Sequence, residues 1–246
     1  QYAYNSLQVE FRIGIQRMYV LKSISNFASA ILNLEQVTYG ASLSFLHCME
    51  AFTPECRPMV RYLIEQSREK RTLYQTPYGR WYSYEADRYL NLESWMVDSF
   101  MEALEQVAFT VQYLDRREHA GTLRDGLPPL EIRLEGGKSA MKLTISDFLF
   151  CEGRDFTYFF EKGTIYREKN EDLSGIMIFL RYLAERAGNS CTIGEEDYPV
   201  FCQNILPILE RLFRVKQESL QLAEYQPPEV KFSIYLDLPE KTTISC

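Results

Sequence analysis

Cationic and aromatic side chains alternate over residues 68–89, REKRTLYQTPYGRWYSYEADRY. Such a mixture can follow a phosphate backbone and stack on nucleobases, so the segment is a candidate nucleic-acid contact. The alternative is the end of an amphipathic helix followed by an edge strand, whose charges deter aggregation. Three carboxylates, Glu69, Glu85 and Asp87, dilute the positive charge. The residues expected to carry a DNA contact are Arg68, Lys70, Arg71, Tyr78, Arg80 and Trp81.

The tetrapeptide GGKS at residues 136–139 looks like the end of a phosphate-binding loop, GxxxxGK[ST]. With Gly137 as the second glycine of that motif, the first would fall at position 132, which is Ile132. The tetrapeptide also joins two predicted strands, Leu130–Glu135 and Ala140–Ile145, whereas a phosphate-binding loop joins a strand to a helix. We therefore predict a hairpin turn, and no binding or hydrolysis of ATP when the chain is titrated by calorimetry.

His47, Cys48 and Cys56 are the residues closest to a metal-ligand set. Structural zinc takes four ligands, usually in close pairs, and no fourth candidate lies nearby. His119 could serve as a catalytic base, but the sequence shows neither a nucleophilic serine motif nor a cysteine partner for it. We interpret it as an exposed loop histidine. The cysteines stand at positions 48, 56, 151, 191, 202 and 246 without a CxxC pair. Their scatter predicts free thiols, no bound zinc and a reducing, cytoplasmic setting.

The overall charge limits the kinds of partner. The net charge is −7, so binding to nucleic acid over the whole surface is not expected, while a local basic strip stays compatible with it. The sequence contains no signal peptide and no apolar run long enough to cross a bilayer, and we expect no membrane partner. Both ends look like cuts, which predicts that the chain is part of a longer polypeptide.

The elements that would position these residues are organised around residues 147–188. Short aromatic runs at Phe148–Cys151 and Phe156–Phe160 flank the turn residues 152–155, which predicts a β-hairpin. A second turn at Lys162-Gly163 leads to a third strand, Thr164–Arg167. Asp172 is then predicted to cap a helix whose apolar stripe is formed by Ile176, Phe179, Leu180, Leu183 and Ala187, with Gly188 as its C′ glycine.

The same order of hairpin and helix recurs at the N-terminus. Leu7–Ile13 and Arg17–Lys22 are predicted to pair around Gly14, and Ser25 to cap a helix over residues 25–34. The other predicted strands are Leu43–Cys48, Trp81–Tyr84 and Phe109–Leu114, with a turn at Pro77-Tyr78-Gly79. The other predicted helices run from Thr53-Pro54 toward Lys70, over Leu92–Val107 with Asn91 as its cap, and over Tyr198–Phe213, which Pro207 kinks or splits. After a break at residues 225–228, Val230–Asp237 and Thr242–Cys246 are predicted to form a last hairpin.

These patterns predict an α+β fold of antiparallel hairpins, each followed by a packing helix. Its 246 residues suit one large domain or two smaller lobes. Residues 115–129, DRREHAGTLRDGLPP, are polar and contain glycine and two prolines, so they are the best candidate for a linker. The corresponding lobes are residues 1–114 and 130–246.

The N-terminal segments VEFRIGIQRMYVLKSISNF and VTYGASLSFLHCMEAF resemble the helicase-associated region of bacterial Swi/Snf-type helicases that contain a SWIM zinc finger. LP at 206–207, YQP at 225–227 and the last segment KFSIYLDLPEKTTISC also fit that region, so the resemblance covers most of the chain and implies that residues 1–246 form one helicase-associated region. The residues that meet the recurring N-terminal pattern are Phe11, Ile13, Gly14, Tyr19, Val20, Lys22, Ile24, Phe27, Tyr39, Gly40, Leu43, Phe45, His47 and Phe52.

The resemblance implies an accessory module of an ATP-dependent DNA translocase rather than its motor. The zinc-finger pairs, the Walker loop and a DEAH-type box are missing from the sequence, so no catalytic residue and no cofactor are expected in this chain. ATP and Mg²⁺ would bind the motor of the same polypeptide, and duplex DNA is a further candidate partner. The alternatives are a protein-interaction scaffold, which needs an exposed apolar patch, and a stand-alone enzyme, which needs convergent polar groups in a pocket.

Overall fold

The computed structural model of the chain describes residues 7–74, 87–112, 117–136 and 140–218, with the backbone alone for 69–74 and 218. It contains both helices and small sheets, so the predicted α+β class is confirmed. Four predicted features lie outside the described residues: the turn Pro77-Tyr78-Gly79, the strand Trp81–Tyr84, the break at 225–228 and the last hairpin.

The helices within these ranges are α1 Ile24–Leu32, α2 Arg57–Tyr74, α3 Ser94–Leu104, α4 Asn170–Leu173, α5 Met177–Ala184, α6 Tyr198–Val200 and α7 Leu206–Leu212. The strands are β1 Leu7–Glu10, β2 Arg12–Gly14, β3 Met18–Val20, β4 Gln36–Tyr39, β5 Leu43–Leu46, β6 Tyr89–Leu92, β7 Thr110–Gln112, β8 Glu118–Ala120, β9 Thr122–Asp125, β10 Glu131–Gly136, β11 Ala140–Ile145, β12 Leu149–Glu152, β13 Phe156–Glu161, β14 Thr164–Lys169, β15 Ser190–Gly194 and β16 Arg214–Glu218.

Two four-stranded sheets form the centre of the fold, in the orders β12-β13-β14-β9 and β15-β11-β10-β16. In each sheet, consecutive strands form antiparallel hairpins and one edge strand is parallel to its neighbour. β9 is parallel to β14 in the first sheet, and β16 is parallel to β10 in the second. The predicted central hairpins are confirmed. Lys162 and Gly163 both have positive φ, 46° and 90°, as a two-residue hairpin turn of the I′ type requires.

The central sheet β12-β13-β14-β9 separates two hydrophobic cores, because neighbouring side chains on a strand point to opposite faces. Tyr158 contributes to the first core, which also contains α1, α2 and α3, and Phe159 to the second, with α5. The first core thus draws on both sides of residues 115–129. That segment itself contains β8 and β9, and the linker over residues 115–129 stays a prediction together with the lobes 1–114 and 130–246.

Long-range pairing corrects the N-terminal hairpin. The predicted strand Leu7–Ile13 is divided: β1 pairs with β6, Leu7 opposite Leu92, and only β2 pairs with β3 around the turn after Gly14. Leu90 and Leu92 of β6 are fully buried, and this burial favours the pairing with β1. Leu92 therefore belongs to a strand, and Asn91 lies in it opposite Gln8 rather than capping α3, which begins at Ser94.

Three other predicted helix starts are wrong by two to five residues. The hydroxyl of Ser23, not that of Ser25, accepts the hydrogen bond from the Asn26 amide at the start of α1, and both hydroxyls donate to Asp87. A turn over residues 54–56 precedes α2, which begins at Arg57 rather than at Thr53-Pro54. Asp172 lies inside the short helix α4, and α5 starts only at Met177.

The C-terminal helices follow the predicted pattern with one correction. α5 ends at Ala184, and Gly188 has the expected positive φ of 68° but sits in a separate 3₁₀ turn, Ala187–Asn189. The helical segment that begins at Tyr198 is divided, as Pro207 predicts. A π-helical turn, Phe201–Ile205, separates α6 from α7, and Pro207 lies in the first turn of α7, where its missing N–H is tolerated.

Leu34 ends α1 in an unusual way. The amide of Glu35 donates to Ala30 O at 2.9 Å and that of Leu34 to Ile31 O at 3.4 Å, the two bonds of a Schellman motif. Leu34 occupies the C′ position with φ 55°, a left-handed conformation that glycine adopts without the cost paid by other residues. Its side chain is 60% exposed, so it regains little of that cost by packing.

Leu34→Gly is therefore expected to stabilise the chain, raising the free energy of unfolding by about 0.5–1 kcal/mol. The matched control is Leu32→Gly in the last turn of α1, which should cost about 1 kcal/mol, since glycine disfavours a helix interior. Urea titrations followed by far-UV circular dichroism measure both. A Leu34→Gly variant less stable than wild type would show that the leucine side chain makes a favourable contact that outweighs its backbone strain.

Candidate functional site

The exposed face of α2 carries the first part of the predicted basic strip. Residues four and seven apart lie on one side of a helix, and Arg61, Glu65 and Arg68 are exposed there. The opposite face packs into the first core through Met59, Val60, Tyr62, Leu63 and Ile64. This burial fixes the orientation of α2, and the two guanidinium groups consequently face solvent.

The structure places the six predicted strip residues unequally. Arg68 is described in full, and Lys70 and Arg71 belong to α2 by their backbone, which brings three of the six onto the same helix end. Tyr78, Arg80 and Trp81 lie outside the described residues. Arg61 was not among the predicted strip residues, although its separation of seven residues from Arg68 in a predicted helix is a signal that would have identified it.

Two residues near the end of segment 68–89, Asp87 and Arg88, are bound to the N-terminal elements. Asp87 accepts hydrogen bonds from the amide and hydroxyl of Ser25, at 3.1 and 2.9 Å, at the start of α1. The next residue, Arg88, binds Glu10 of β1 through Nε at 3.0 Å. Partial burial works against the charged form of Glu10, but its hydrogen bonds with Arg88 and Arg12 outweigh this and lower its pKa. Asp87 and Arg88 are thus both bound to elements that precede α2, to Ser25 of α1 and Glu10 of β1.

His47 lies in an aromatic cluster rather than in a metal site. It is fully buried and stacks on Phe45 with ring centroids 4.3 Å apart. Its Nε2 lies 2.8 Å from the Tyr39 hydroxyl and its Nδ1 3.3 Å from the Phe45 carbonyl oxygen. Burial raises the pKa of Tyr39 to about 12, so its hydroxyl stays protonated and can donate to a neutral His47.

This environment predicts a pH dependence of stability. Burial lowers the pKa of His47 below its usual value of 6.5. His47 is then protonated near pH 6.5 in the unfolded chain but stays neutral in the folded chain. The free energy of unfolding therefore falls as the pH drops below that value. The loss is at most about 1.4 kcal/mol per pH unit. Urea titrations between pH 7.5 and 5.5 should show it.

The chain contains two histidines, which gives this prediction an internal control. His47→Gln should remove most of the slope, whereas His119→Gln should leave it. His119 is half-buried in β8, opposite Val111, so its interpretation as an exposed loop residue is wrong. A slope that survives His47→Gln unchanged would contradict this account of the cluster.

The described residues do not assemble a catalytic group. They contain no cluster of three His, Cys, Asp or Glu side chains that could hold a metal ion. Burial raises the pKa of the Cys151 thiol to about 12 and also raises those of Cys191 and Cys202, which disfavours the reactive thiolate. Ile132 is fully buried in β10, and a strand, β11, follows the GGKS segment. The two predicted strands there are confirmed, while residues 137–139 lie outside the described part.

None of the helices described by the structure is long and apolar enough to cross a membrane.

The model of one protein family, described as bacterial SNF2 helicase associated, matches residues 88–246. A search of curated proteins and a search of solved structures each gave no match. The match begins after the N-terminal pattern of residues 11–52. Two residues of that pattern, Ile24 and Phe27, nevertheless pack in the first core with Leu90 and Met96 of the matched part. β1, which precedes the pattern, pairs with β6.

Proposed function

The chain belongs to the family of bacterial SNF2 helicase associated proteins, and from this premise we propose that it is a non-catalytic module that positions or regulates a SNF2-type motor and touches duplex DNA. The motor is part of the same cytoplasmic polypeptide and binds the ATP and Mg²⁺. The DNA contact runs through Arg61 and Arg68 on the exposed face of α2 and through Lys70, Arg71, Tyr78, Arg80 and Trp81 farther along the chain.

The observation that carries the DNA contact is the exposure of Arg61 and Arg68 on one face of a helix whose other face is fixed in the core. Cations held by a rigid helix can meet phosphates without ordering a loop first. The net charge of −7 opposes approach to DNA elsewhere on the surface, so binding should be weak and confined to this strip.

Fluorescence anisotropy of a labelled duplex tests this contact at low ionic strength. Because positions 61, 68 and 71 lie on one side of α2 by helical spacing, their three arginines should give a log–log slope of affinity against salt of roughly −3, about −0.9 for each phosphate neutralised. The expected result is binding that disappears between low and physiological salt. No binding at the lowest salt, or an affinity independent of salt, would contradict the proposal.

Exposed apolar side chains on α5 favour a second candidate, a protein-interaction scaffold without nucleic-acid contact. Ile178 is 79% exposed and Tyr182, four residues later on the same face, 41%. Exposed apolar residues next to each other are typical of protein contacts. If the anisotropy experiment shows no DNA binding, the interaction with a motor or another protein would run through such a surface.

A further inference from the structure

The first hairpin, β2 and β3, ends in a bare apolar tip. Gly14 pairs with Met18, leaving Ile15, Gln16 and Arg17 as a three-residue turn. Ile15 is 87% exposed and Met18 55%, the former the most exposed of the large apolar side chains in the described part of the chain. A Cβ at position 14 would lie 2.0 Å from the Arg17 carbonyl oxygen, so only glycine allows this tight turn.

The base of the hairpin contacts neighbouring elements, whereas its tip is exposed to solvent. Tyr19 of β3 bonds Ser42 through its hydroxyl at 2.8 Å, and its ring lies against Gly40, where a Cβ would come within 2.5 Å of Tyr19 Cε1. Arg12 of β2 forms ion pairs with Glu10 and Glu118 at 3.3 and 3.6 Å. The tip is therefore presented to solvent by a base that two other hairpins support.

Arg17 places a positive charge in the turn itself. Arg12 and Lys22 lie nearer the base of the hairpin, where Glu10 and Glu118 form ion pairs with Arg12. Arg17 lies with its Cζ 5.5 Å from the centre of the Tyr19 ring, and neither Arg17 nor Lys22 forms an ion pair with a described residue. Positive charge beside an exposed apolar group matches the chemistry of a base stack, which is apolar inside and bordered by phosphates.

We propose that the tip of the β2–β3 hairpin is a wedge that inserts Ile15, supported by Met18, between base pairs of the bound DNA while Arg17 meets a phosphate. This rests on the proposed function and adds to it the DNA feature that is recognised, a base step that can be unstacked. Side chains such as Ile and Met separate base steps in proteins that kink DNA. The wedge is independent of the arginines of α2, which contact the backbone alone.

The test uses a duplex that contains 2-aminopurine, whose fluorescence rises when it is unstacked, together with the anisotropy of the same complex. Wild type should raise the fluorescence on binding. Ile15→Ser should lose most of that rise and bind roughly tenfold more weakly, the effect expected for an isoleucine no longer buried. Because the lost contact is apolar, the weakening should be similar at every salt concentration at which binding is measurable.

The matched control is Ile178→Ser with Val200→Ser, which removes two apolar side chains that are 79% and 58% exposed in α5 and α6. It should behave as wild type in both readouts. All variants change exposed side chains, so their melting temperatures should equal that of wild type, and circular dichroism checks this.

The outcomes separate the wedge from the strip on α2. Arg68→Glu with Arg71→Glu should flatten the salt dependence and leave the fluorescence rise of the saturated complex intact. If Ile15→Ser matches wild type in fluorescence and affinity, or if wild type binds without any fluorescence rise, the wedge proposal is wrong. The DNA contact through α2 is not affected by that result, and the partner of the tip would then be a protein. If wild type binds no DNA at all, both proposals fail.

Discussion

A chain that carries Arg68→Glu and Arg71→Glu is expected to bind duplex DNA about a hundredfold more weakly than wild type at 50 mM salt. Each phosphate contact changes log affinity by about 0.9 for each tenfold change in salt, so at ~50 mM it contributes roughly one log unit relative to ~1 M. Losing two contacts removes about two log units before repulsion between the new carboxylates and the phosphates is counted.

The control for this variant is Arg154→Glu with Arg211→Glu. Both arginines are exposed, in the β12–β13 turn and in α7, and their replacement changes the net charge by the same amount. If the effect depends on overall charge alone, the two double variants will weaken binding equally. We expect the DNA affinity of the control variant to stay within a few-fold of that of wild type, because its two cations lie outside the proposed contact.

Asp98→Ala is expected to lower the free energy of unfolding by about 3 kcal/mol. Asp98 of α3 accepts the amide of Asp155 at 2.8 Å and the hydroxyl of Tyr158 at 3.0 Å. Hydrogen bonds to a charged acceptor contribute about 1.5–3 kcal/mol each, and the Tyr158 hydroxyl would be left without its acceptor. Because Tyr158 is buried in the first core, the loss would act where α3 meets the central sheet.

Chemical denaturation measures this loss, with Glu102→Ala as control. Glu102 lies on the same helix and is exposed, so its replacement should change stability by less than about 0.5 kcal/mol. Asp98→Asn keeps one acceptor oxygen and should fall between the two. Equal stabilities of Asp98→Ala and Glu102→Ala would show that the carboxylate does not hold α3 on the hairpin.

Local chemistry explains which elements could be predicted from the sequence. The turn at Lys162-Gly163 and the strands around it follow from glycine and from alternating apolar residues, and β10 and β11 follow from the same signals. Pairing between distant segments has no such local signal. The antiparallel pair β1–β6 and the parallel strands β9 and β16 add to sheets through partners far along the chain, and the pattern of single segments did not predict them.

The helix starts show the same limit. Ser23 and Ser25 are equally good caps by residue type, and both donate hydrogen bonds to Asp87, 64 and 62 residues farther along the chain; this distant contact at the start of α1 has no local signal. Asn91 is a good cap by type too, but the burial of Leu90 and Leu92 places it in a strand. At the candidate site, residue types identified Arg68, Lys70 and Arg71. The seven-residue spacing between Arg61 and Arg68 would have added Arg61, and the packing of α2 in the core leaves both side chains exposed.

The N-terminal pattern also gains a physical meaning. Phe27, Tyr39, Phe45, His47 and Phe52 form one aromatic cluster. Gly40 leaves room for the Tyr19 ring, and Gly14 for the turn that follows it. The recurring residues thus specify how two hairpins and α1 fit together.

The most direct test of the accessory role is ATP hydrolysis by the complete polypeptide at increasing duplex concentration, compared with the motor alone and with this chain alone. The account predicts no hydrolysis by the chain alone, and an altered kcat or DNA concentration for half-maximal stimulation when the chain is removed. Arg68→Glu with Arg71→Glu in the complete polypeptide should raise that DNA concentration without changing the rate in the absence of DNA. Hydrolysis by this chain alone, or identical DNA-stimulated kinetics with and without it, would contradict the account.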